Sequence, residues 1–267
     1  MRLAAIQHLV GRVVGDVVAP AARHAARRAL DFCYPGVCAN CEVSSDGGAV
    51  LCGDCIQKLG ALAHAAFCDR CAMPLASNGA PCPYCFGNGV RPFERIIRLG
   101  VFEDPLKHLI HLAKYHRRWP LCELLADRLI DTERTKGLLT ETDILVPVPL
   151  HLRRHITRGY NQADVIARRI GKVCRIPVLH AARRTRNTET QTHLSQAQRL
   201  ANVRGAFALK RGARRLFGKH VVLIDDVMTT AATLRELART LKHVAPASLS
   251  VLVLAIADRK GRGFEVI

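Results

Sequence analysis

The segment from Val221 to Leu234 constrains the fold of this chain more than any other part of the sequence. It begins with four apolar, mostly β-branched residues and continues with the adjacent carboxylates Asp225 and Asp226. Small and hydroxyl side chains follow, and then a helical pattern with one apolar face: Leu234, Leu237, Leu241 and Val244. This order predicts a buried parallel strand of an α/β sheet, with the two acids at its carboxyl end and a helix after the turn.

The turn between this strand and this helix is suited to a phosphate group. Ligands of open α/β sheets bind outside the carboxyl ends of the strands, and the free N–H groups at a helix N-terminus attract anions. Three threonines add hydroxyl donors, and the two aspartates can accept hydrogen bonds from sugar hydroxyls. The alternative is an ordinary strand and helix joined by a polar turn, but it leaves the coincidence of acids, threonines and amphipathic helix unexplained.

The same segment resembles the phosphoribosyl-pyrophosphate (PRPP) loop of type I phosphoribosyltransferases. The resemblance implies that Asp225 and Asp226 are the acids of the catalytic site and hold the ribose hydroxyls. It also implies a loop that binds the 5′-phosphate, formed by Thr229, Thr230, Ala231, Ala232 and Thr233. Ala231 stands where the family has glycine, which permits positive φ and close backbone approach. We therefore expect weaker phosphate binding or an altered loop geometry.

Eight of the eleven cysteines form four Cys-x-x-Cys pairs. Each half of the set has the spacing Cys-x2-Cys-x10-Cys-x2-Cys, and a shift of 30 residues places the first half on the second. Four thiolates complete the tetrahedral shell of a structural zinc ion and leave no open position for catalysis. We predict two structural Zn²⁺ sites, with these ligands: Cys38, Cys41, Cys52, Cys55, Cys68, Cys71, Cys82 and Cys85.

The sequence also permits other arrangements of these cysteines. A cross-braced pairing, first with third and second with fourth, satisfies the same zinc chemistry. Disulfides, an iron–sulfur cluster or a redox pair are further alternatives. The segment is rich in glycine and proline, so it cannot bury a large core and requires a metal ion or cross-links for stability. The remaining cysteines are expected to be small buried hydrophobes: Cys33, Cys122 and Cys174.

The positive charge is unevenly distributed along the chain. The net charge is +18, and residues 150–215 contain sixteen Lys and Arg against two acids. Such a field attracts phosphates, from a sugar phosphate to a nucleic-acid backbone; the alternative is a general arginine bias of the composition. The candidate nucleic-acid contacts are Arg153, Arg154, Arg183 and Arg184.

The middle of the chain predicts two helices and a second strand. Residues 105–130 have a helical pattern that breaks near Trp119 and Pro120, and the strand from Asp143 to Leu150 ends in two prolines. Arginines follow that strand, and a guanidinium binds phosphate oxygens in bidentate fashion. If the chain is a phosphoribosyltransferase, we expect Arg158 or Lys114 to neutralise the pyrophosphate.

Ordered motifs extend the resemblance to most of the chain, from about Cys33 to Ala257. They are the cysteine pairs, Lys114-Tyr115, Val146-Pro147-Val148-Pro149-Leu150, Arg158-Gly159-Tyr160-Asn161-Gln162, the spaced set Gln191, Leu194, Arg199 and Asn202, and the Asp225-Asp226 loop. The set resembles the ComF family, which is associated with natural competence and DNA uptake. The resemblance implies an α/β fold of the phosphoribosyltransferase type, a Rossmann-like parallel sheet with helices on both faces, preceded by a small cysteine-rich zinc-ribbon domain.

We expect three parts: an amphipathic N-terminal leader at 1–32, a double zinc ribbon at 33–90 and a phosphoribosyltransferase-like domain at 91–267. The resemblance implies a competence protein that binds PRPP with Mg²⁺, handles single-stranded DNA and works with DNA-uptake proteins. The alternatives are an active phosphoribosyltransferase of unknown acceptor and a zinc-stapled adaptor or regulatory module. No apolar run reaches the length of a membrane span. We expect a cytoplasmic protein whose leader could lie at a membrane surface.

Overall fold

The computed structural model describes residues 37–45, 49–186 and 203–257. The predicted leader, Cys33 and the motif residues between Gln191 and Asn202 lie outside these ranges. The chain forms two compact units, Met1–Gln57 and Lys58–Ile267. No helix within the described ranges is both long and apolar enough to cross a membrane.

The described elements follow one another in an α/β order that the sequence patterns largely predict. The helices are α1 (Gly53–His64), α2 (Leu106–Tyr115), α3 (Pro120–Ile130), α4 (Glu133–Thr140), α5 (Leu152–Arg158), α6 (Gln162–Cys174) and α7 (Ala232–Leu241). The strands are β1 (Ile96–Val101), β2 (Ile144–Pro147), β3 (Ala182–Arg184), β4 (Phe207–Leu209), β5 (His220–Met228) and β6 (Ser248–Ile256). Short 3₁₀ turns lie at Arg211–Leu216 and Lys242–Val244.

Four strands form a parallel sheet in the order β1-β6-β5-β2. Almost every residue of β1, β2 and β6 is buried, so both faces of the sheet are covered. Helix α6 packs on β2 and β5, while α3 contacts β1 and β6. A separate antiparallel pair, β3 and β4, lies against α7. The predicted fold class, a parallel α/β sheet, is confirmed.

Two details differ from the sequence-based expectation. Strand β5 does not end before the acids but continues through them to Met228, because Asp225 pairs with Val253 and Met228 with Ile256 of the neighbouring strand. Helix α7 ends at Leu241, so Val244 lies in the following turn and is not part of its buried face. Of the two described cysteines outside the pairs, Cys122 is buried as expected, but Cys174 is only half-buried.

Candidate functional site

The acid pair lies near the carboxyl end of β5, the edge at which parallel sheets bind ligands. Lys114, the penultimate residue of α2, reaches it: its Nζ lies 2.9 Å from Oδ1 of Asp226. Both side chains are mostly buried, with exposed fractions of 16% and 13%. The structure thus brings Lys114 next to the predicted acid pair, which lies more than a hundred residues later in the sequence.

Asp225 occupies the more unusual environment of the two acids. Burial, and then the neighbouring charge of Asp226, raise the pKa of Asp225 to about 7, while the Asp226 N–H, Lys114 and Arg184 oppose this rise. Its Oδ1 accepts a 2.9 Å hydrogen bond from the Asp226 backbone N–H. A carboxyl group with this pKa can be charged or neutral near physiological pH, which is typical of functional sites.

Two predicted arginines face the acids from other elements. Burial lowers the pKa of Arg184 on β3 to about 10; the charge of Arg154 adds to this effect, and Asp225 opposes it. Burial also lowers the pKa of Arg154 on α5, and Arg154 interacts electrostatically with Asp226. Arg183, also on β3, is exposed, and Arg153 is a residue of α5. The acid pair is therefore surrounded by cations that could hold a pyrophosphate.

The loop after β5 contains a residue in the left-handed conformation and a buried hydroxyl group. Ala231 is the N-cap of α7 and has φ +56° and ψ 7°, in the left-handed region that glycine adopts most readily. The hydroxyl of Thr230 is buried and has no hydrogen-bond partner within the described part of the chain. Thr229, Ala232 and Thr233 complete the predicted loop and the first turn of α7. A buried donor at a helix N-terminus fits an anionic ligand.

Side chains of the segment Arg158-Gly159-Tyr160-Asn161-Gln162 form hydrogen bonds to α2, to the residues after β2 and within the segment itself. The Tyr160 hydroxyl donates to the Ala113 carbonyl, next to Lys114, and Asn161 Nδ2 donates to the Val148 carbonyl at 2.9 Å. Arg158 donates to Gln162 Oε1 at 3.3 Å. From the sequence, only Arg158 of this segment is predicted to contact a ligand. The Arg-Gly-Tyr-Asn-Gln motif is the sequence signal that also points to Tyr160.

Cys122 on α3 also lies beside this site but is suited only to packing. Burial raises the pKa of its thiol to about 12, and the charge of Asp226 contributes. A thiol with this pKa stays protonated and is a poor nucleophile. Burial raises the pKa of Tyr160 as well.

The paired cysteines form two separate tetrads, Cys38, Cys41, Cys52 and Cys55, and Cys68, Cys71, Cys82 and Cys85. Within each tetrad all sulfurs lie within 4.8 Å of one another, and three of the sulfur pairs are 3.6–3.7 Å apart. A tetrahedral zinc ion with Zn–S bonds of about 2.3 Å requires sulfurs about 3.8 Å apart. The tetrads fit a double zinc ribbon. The first two Cys-x-x-Cys pairs form one site and the last two form the other, as the 30-residue repeat favours, so the cross-braced pairing is not formed. The described cysteines form no disulfide.

The 30-residue sequence repeat is also a structural repeat. In the first ribbon the Cys38 N–H donates to the Val43 carbonyl at 2.8 Å; in the second, the Cys68 N–H donates to the Met73 carbonyl at 2.9 Å. Glu42 and Ala72 occupy equivalent positions with φ of +61° and +65°. The two units therefore contain the same tight turn, which brings the two sulfurs of a Cys-x-x-Cys pair to one side.

Two arginines connect the second ribbon to strand β1 and to helix α4. Arg98, buried in β1, donates from Nε to the Ala72 carbonyl at 2.8 Å. Arg134 of α4 donates to the Phe67 carbonyl and to Asn78. The two guanidinium groups lie 4.8 Å and 4.3 Å from the centre of the Phe67 ring. Burial lowers the pKa of Arg98 to about 10.

Comparison with known proteins agrees with this architecture. Residues 29–86 match the model of the double zinc ribbon domain, and residues 156–266 match that of the phosphoribosyl transferase domain. The DNA utilization protein YhgH of Escherichia coli is 33% identical over 227 residues, covering 82% of this chain and 96% of the relative. Competence protein F of Haemophilus influenzae is 29% identical over 223 residues, covering 82% and 94%.

Among solved structures, the glutamine phosphoribosylpyrophosphate amidotransferase of B. subtilis matches 51% of this chain and 25% of its own, at 21% identity and a TM-score of 0.33. The relatives, the two domain models and the paired cysteine sites together identify the family. This chain belongs to the ComF family, in which a double zinc ribbon precedes a phosphoribosyltransferase domain.

Proposed function

We propose that the acid pair and the loop after it bind PRPP or another phosphoribosyl ligand with Mg²⁺. The observation that carries this proposal is the buried Thr230 hydroxyl, which has no hydrogen-bond partner among residues 37–45, 49–186 and 203–257. It lies just before α7, in the loop that follows Asp225 and Asp226 on β5. The 5′-phosphate would lie at the helix N-terminus. The ribose hydroxyls would donate to the two carboxylates.

The cations around the acids complete this assignment. Lys114, Arg154 and Arg184 would neutralise the pyrophosphate, and Arg158 would contribute from the end of α5. Mg²⁺ would be bound mainly through the ligand's phosphate oxygens, as is usual for this ion. The sequence-predicted site residues thus have distinct roles in one ligand-binding site.

Calorimetry with PRPP and Mg²⁺ tests this assignment. We expect saturable binding by the protein and loss of the heat in Asp225→Ala and in Asp226→Ala. Arg183→Ala is a matched control, because Arg183 is exposed and is not needed for PRPP in this proposal. Unchanged binding in both acid variants would place the ligand site elsewhere.

We further propose that the protein acts in competence, by handling incoming single-stranded DNA. The names of the relatives, DNA utilization protein and competence protein, support this role. The sixteen Lys and Arg between residues 150 and 215 supply the positive field that a phosphate polymer requires. Proteins of the DNA-uptake machinery are the expected partners.

A salt series of single-stranded DNA binding tests this second proposal. The affinity should fall steeply as salt rises, and replacement of Arg153, Arg154, Arg183 and Arg184 by Glu should weaken binding of every sequence and flatten the salt dependence. Absence of DNA binding at low salt would refute DNA handling.

The alternative function is transfer of the phosphoribosyl group to an acceptor. The observation in its favour is the pair of adjacent carboxylates at the end of β5 with Lys114 Nζ 2.9 Å from Asp226. Burial raises the pKa of Asp225, which suits a group that exchanges a proton. Release of pyrophosphate from PRPP in the presence of candidate bases and amines distinguishes an enzyme from a ligand-binding protein.

A further inference from the structure

The connection between α2 and α3 exposes two aromatic side chains next to two arginines. The sequence there is Tyr115-His116-Arg117-Arg118-Trp119, and every one of these residues is exposed. Tyr115 and Trp119 have exposed fractions of 57% and 50%. Single exposed apolar residues are ordinary, but two large aromatics interleaved with arginines within five residues form a surface of defined chemistry.

Helix α5 extends this surface with a third guanidinium group. The Cζ atom of Arg158 lies 5.5 Å from the centre of the Tyr115 ring. Arg117 is next to Gly159, since a Cβ at Gly159 would lie 3.7 Å from the Nε of Arg117. We name Tyr115, Arg117, Arg118, Trp119 and Arg158 the aromatic–arginine surface.

The backbone beneath this surface is well fixed. The Tyr160 hydroxyl holds the Ala113 carbonyl, and the Trp119 N–H donates to the Arg117 carbonyl at 3.0 Å. The rings of His111 and Tyr115 lie 4.7 Å apart. A backbone that is already ordered loses little conformational entropy when a ligand binds.

The surface is continuous in the chain with the proposed PRPP site. Lys114, which pairs with Asp226, immediately precedes Tyr115, and Arg158 belongs to the helix that also carries Arg154. A phosphate-rich polymer on the surface would therefore run toward a pocket that is itself cationic.

We infer that the aromatic–arginine surface binds single-stranded nucleic acid, with bases stacked on Tyr115 and Trp119 and phosphates bound by the three arginines. This inference rests on the DNA-handling part of the proposed function and gives it a location. Single-stranded binders combine a basic track with aromatic platforms. Tyr, Trp and Arg are also common at protein interfaces, so the residue types alone do not select the partner. The excess of positive charge and the cationic site next to Lys114 favour a phosphate polymer, and a protein partner would leave the tryptophan emission unchanged by oligonucleotide.

The surface carries its own spectroscopic probe, because Trp119 is the only tryptophan in the chain. A thymidine oligonucleotide of roughly 15 nucleotides, near the upper site size of such proteins, should quench the tryptophan emission saturably. Inorganic polyphosphate of similar length has the charge but no bases, so it should compete for binding and quench much less.

Variants separate stacking from charge. Trp119→Ala and Tyr115→Ala should each weaken oligonucleotide binding on the order of tenfold, measured by fluorescence anisotropy of a labelled oligonucleotide. Trp119→Phe retains an aromatic face and should largely restore binding, although it abolishes the emission. Phe217→Ala is the matched control, since Phe217 is 74% exposed and follows Arg214 and Arg215 but lies outside the surface.

Reversal of Arg117 and Arg118 to Glu should flatten the dependence of log affinity on log salt by about 1.4, at about 0.7 for each phosphate contact with a single strand. The inference would be overturned if anisotropy showed tight DNA binding without quenching, and if Tyr115→Ala and Trp119→Ala bound DNA as tightly as the unmodified protein does. That result would leave DNA handling intact. Absence of binding under all conditions would refute DNA handling itself.

Discussion

Replacement of Asp225 by Asn should make the folded protein more stable while it removes ligand binding. Asn has the shape of Asp and keeps an oxygen that can accept the Asp226 N–H, at 2.9 Å in the structure. It removes only the charge. In the folded protein the pKa of this carboxyl is raised from 3.8 to about 7, chiefly by burial.

The size of the effect follows from those two pKa values. Their difference corresponds to about 4 kcal/mol of unfavourable free energy for the ionised form above about pH 7. Because Asp225 is only half-buried and structural relaxation near a charge reduces this cost, we expect the Asn variant to gain about 1–4 kcal/mol there. For a chain of this size, each 1 kcal/mol raises the melting temperature by about 2–4 °C.

The sign of the pH dependence is fixed by the direction of the shift. The folded state holds the proton more tightly than the unfolded state, so the contribution of Asp225 to stability falls as pH rises from about 4 to about 7. The advantage of Asp225→Asn should therefore be full above about pH 7 and vanish below about pH 4. Urea denaturation across this pH range measures it.

Asp226→Asn is the matched control with the opposite expected sign. It leaves the mostly buried ammonium of Lys114 without the carboxylate that lies 2.9 Å away, which should destabilise the protein by about 1–3 kcal/mol. An Asp225→Asn variant that is less stable than the unmodified protein at about pH 8, or whose effect does not depend on pH, would refute the reasoning about its burial.

Three further predictions concern the loop before α7, the segment 158–162 and the metal sites. Ala231→Gly relieves about 1–2 kcal/mol of left-handed backbone strain, but it removes a buried methyl group and increases the entropy of the unfolded chain. The free energy of unfolding measured by urea denaturation should therefore change by less than about 1 kcal/mol. Calorimetry should show tighter PRPP binding. Tyr160→Phe should lower the free energy of unfolding by about 1 kcal/mol and weaken PRPP binding, because the Ala113 carbonyl that positions Lys114 loses its donor. Elemental analysis should find about two zinc ions per chain and about one in Cys71→Ser, since each structural site requires four thiolates; absence of zinc from the purified protein would contradict the assignment of the tetrads.

The sequence predicted the parts of this protein that depend on local patterns. The four apolar residues before Asp225 lie in a buried strand, and the 30-residue cysteine repeat gave the correct grouping of the tetrads. Regular spacing was sufficient there because strand burial and metal geometry both act over a few residues.

Contacts between distant parts of the chain could not be predicted in this way. The pairing of Lys114 with Asp226 and the hydrogen bond from Tyr160 to Ala113 depend on how α2 and α6 pack beside the sheet. The extension of β5 through both aspartates also has a tertiary cause, because the long neighbour β6 supplies a pairing partner that overrides the low strand propensity of Asp.

The hydrogen bond from Arg98 to Ala72 determines where this protein can be cut. A fragment that begins at residue 91 would retain the β1 arginine but lose the carbonyl that it binds and the Phe67 ring that it faces. The exposed fraction of Arg98 is only 1% in the intact chain, so the truncation would remove its acceptor and uncover the apolar surface of β1 beneath the ribbon. Expression of the phosphoribosyltransferase domain alone should therefore succeed only in fragments that begin before Phe67, which makes the second ribbon a requirement for producing the domain as well as a metal site.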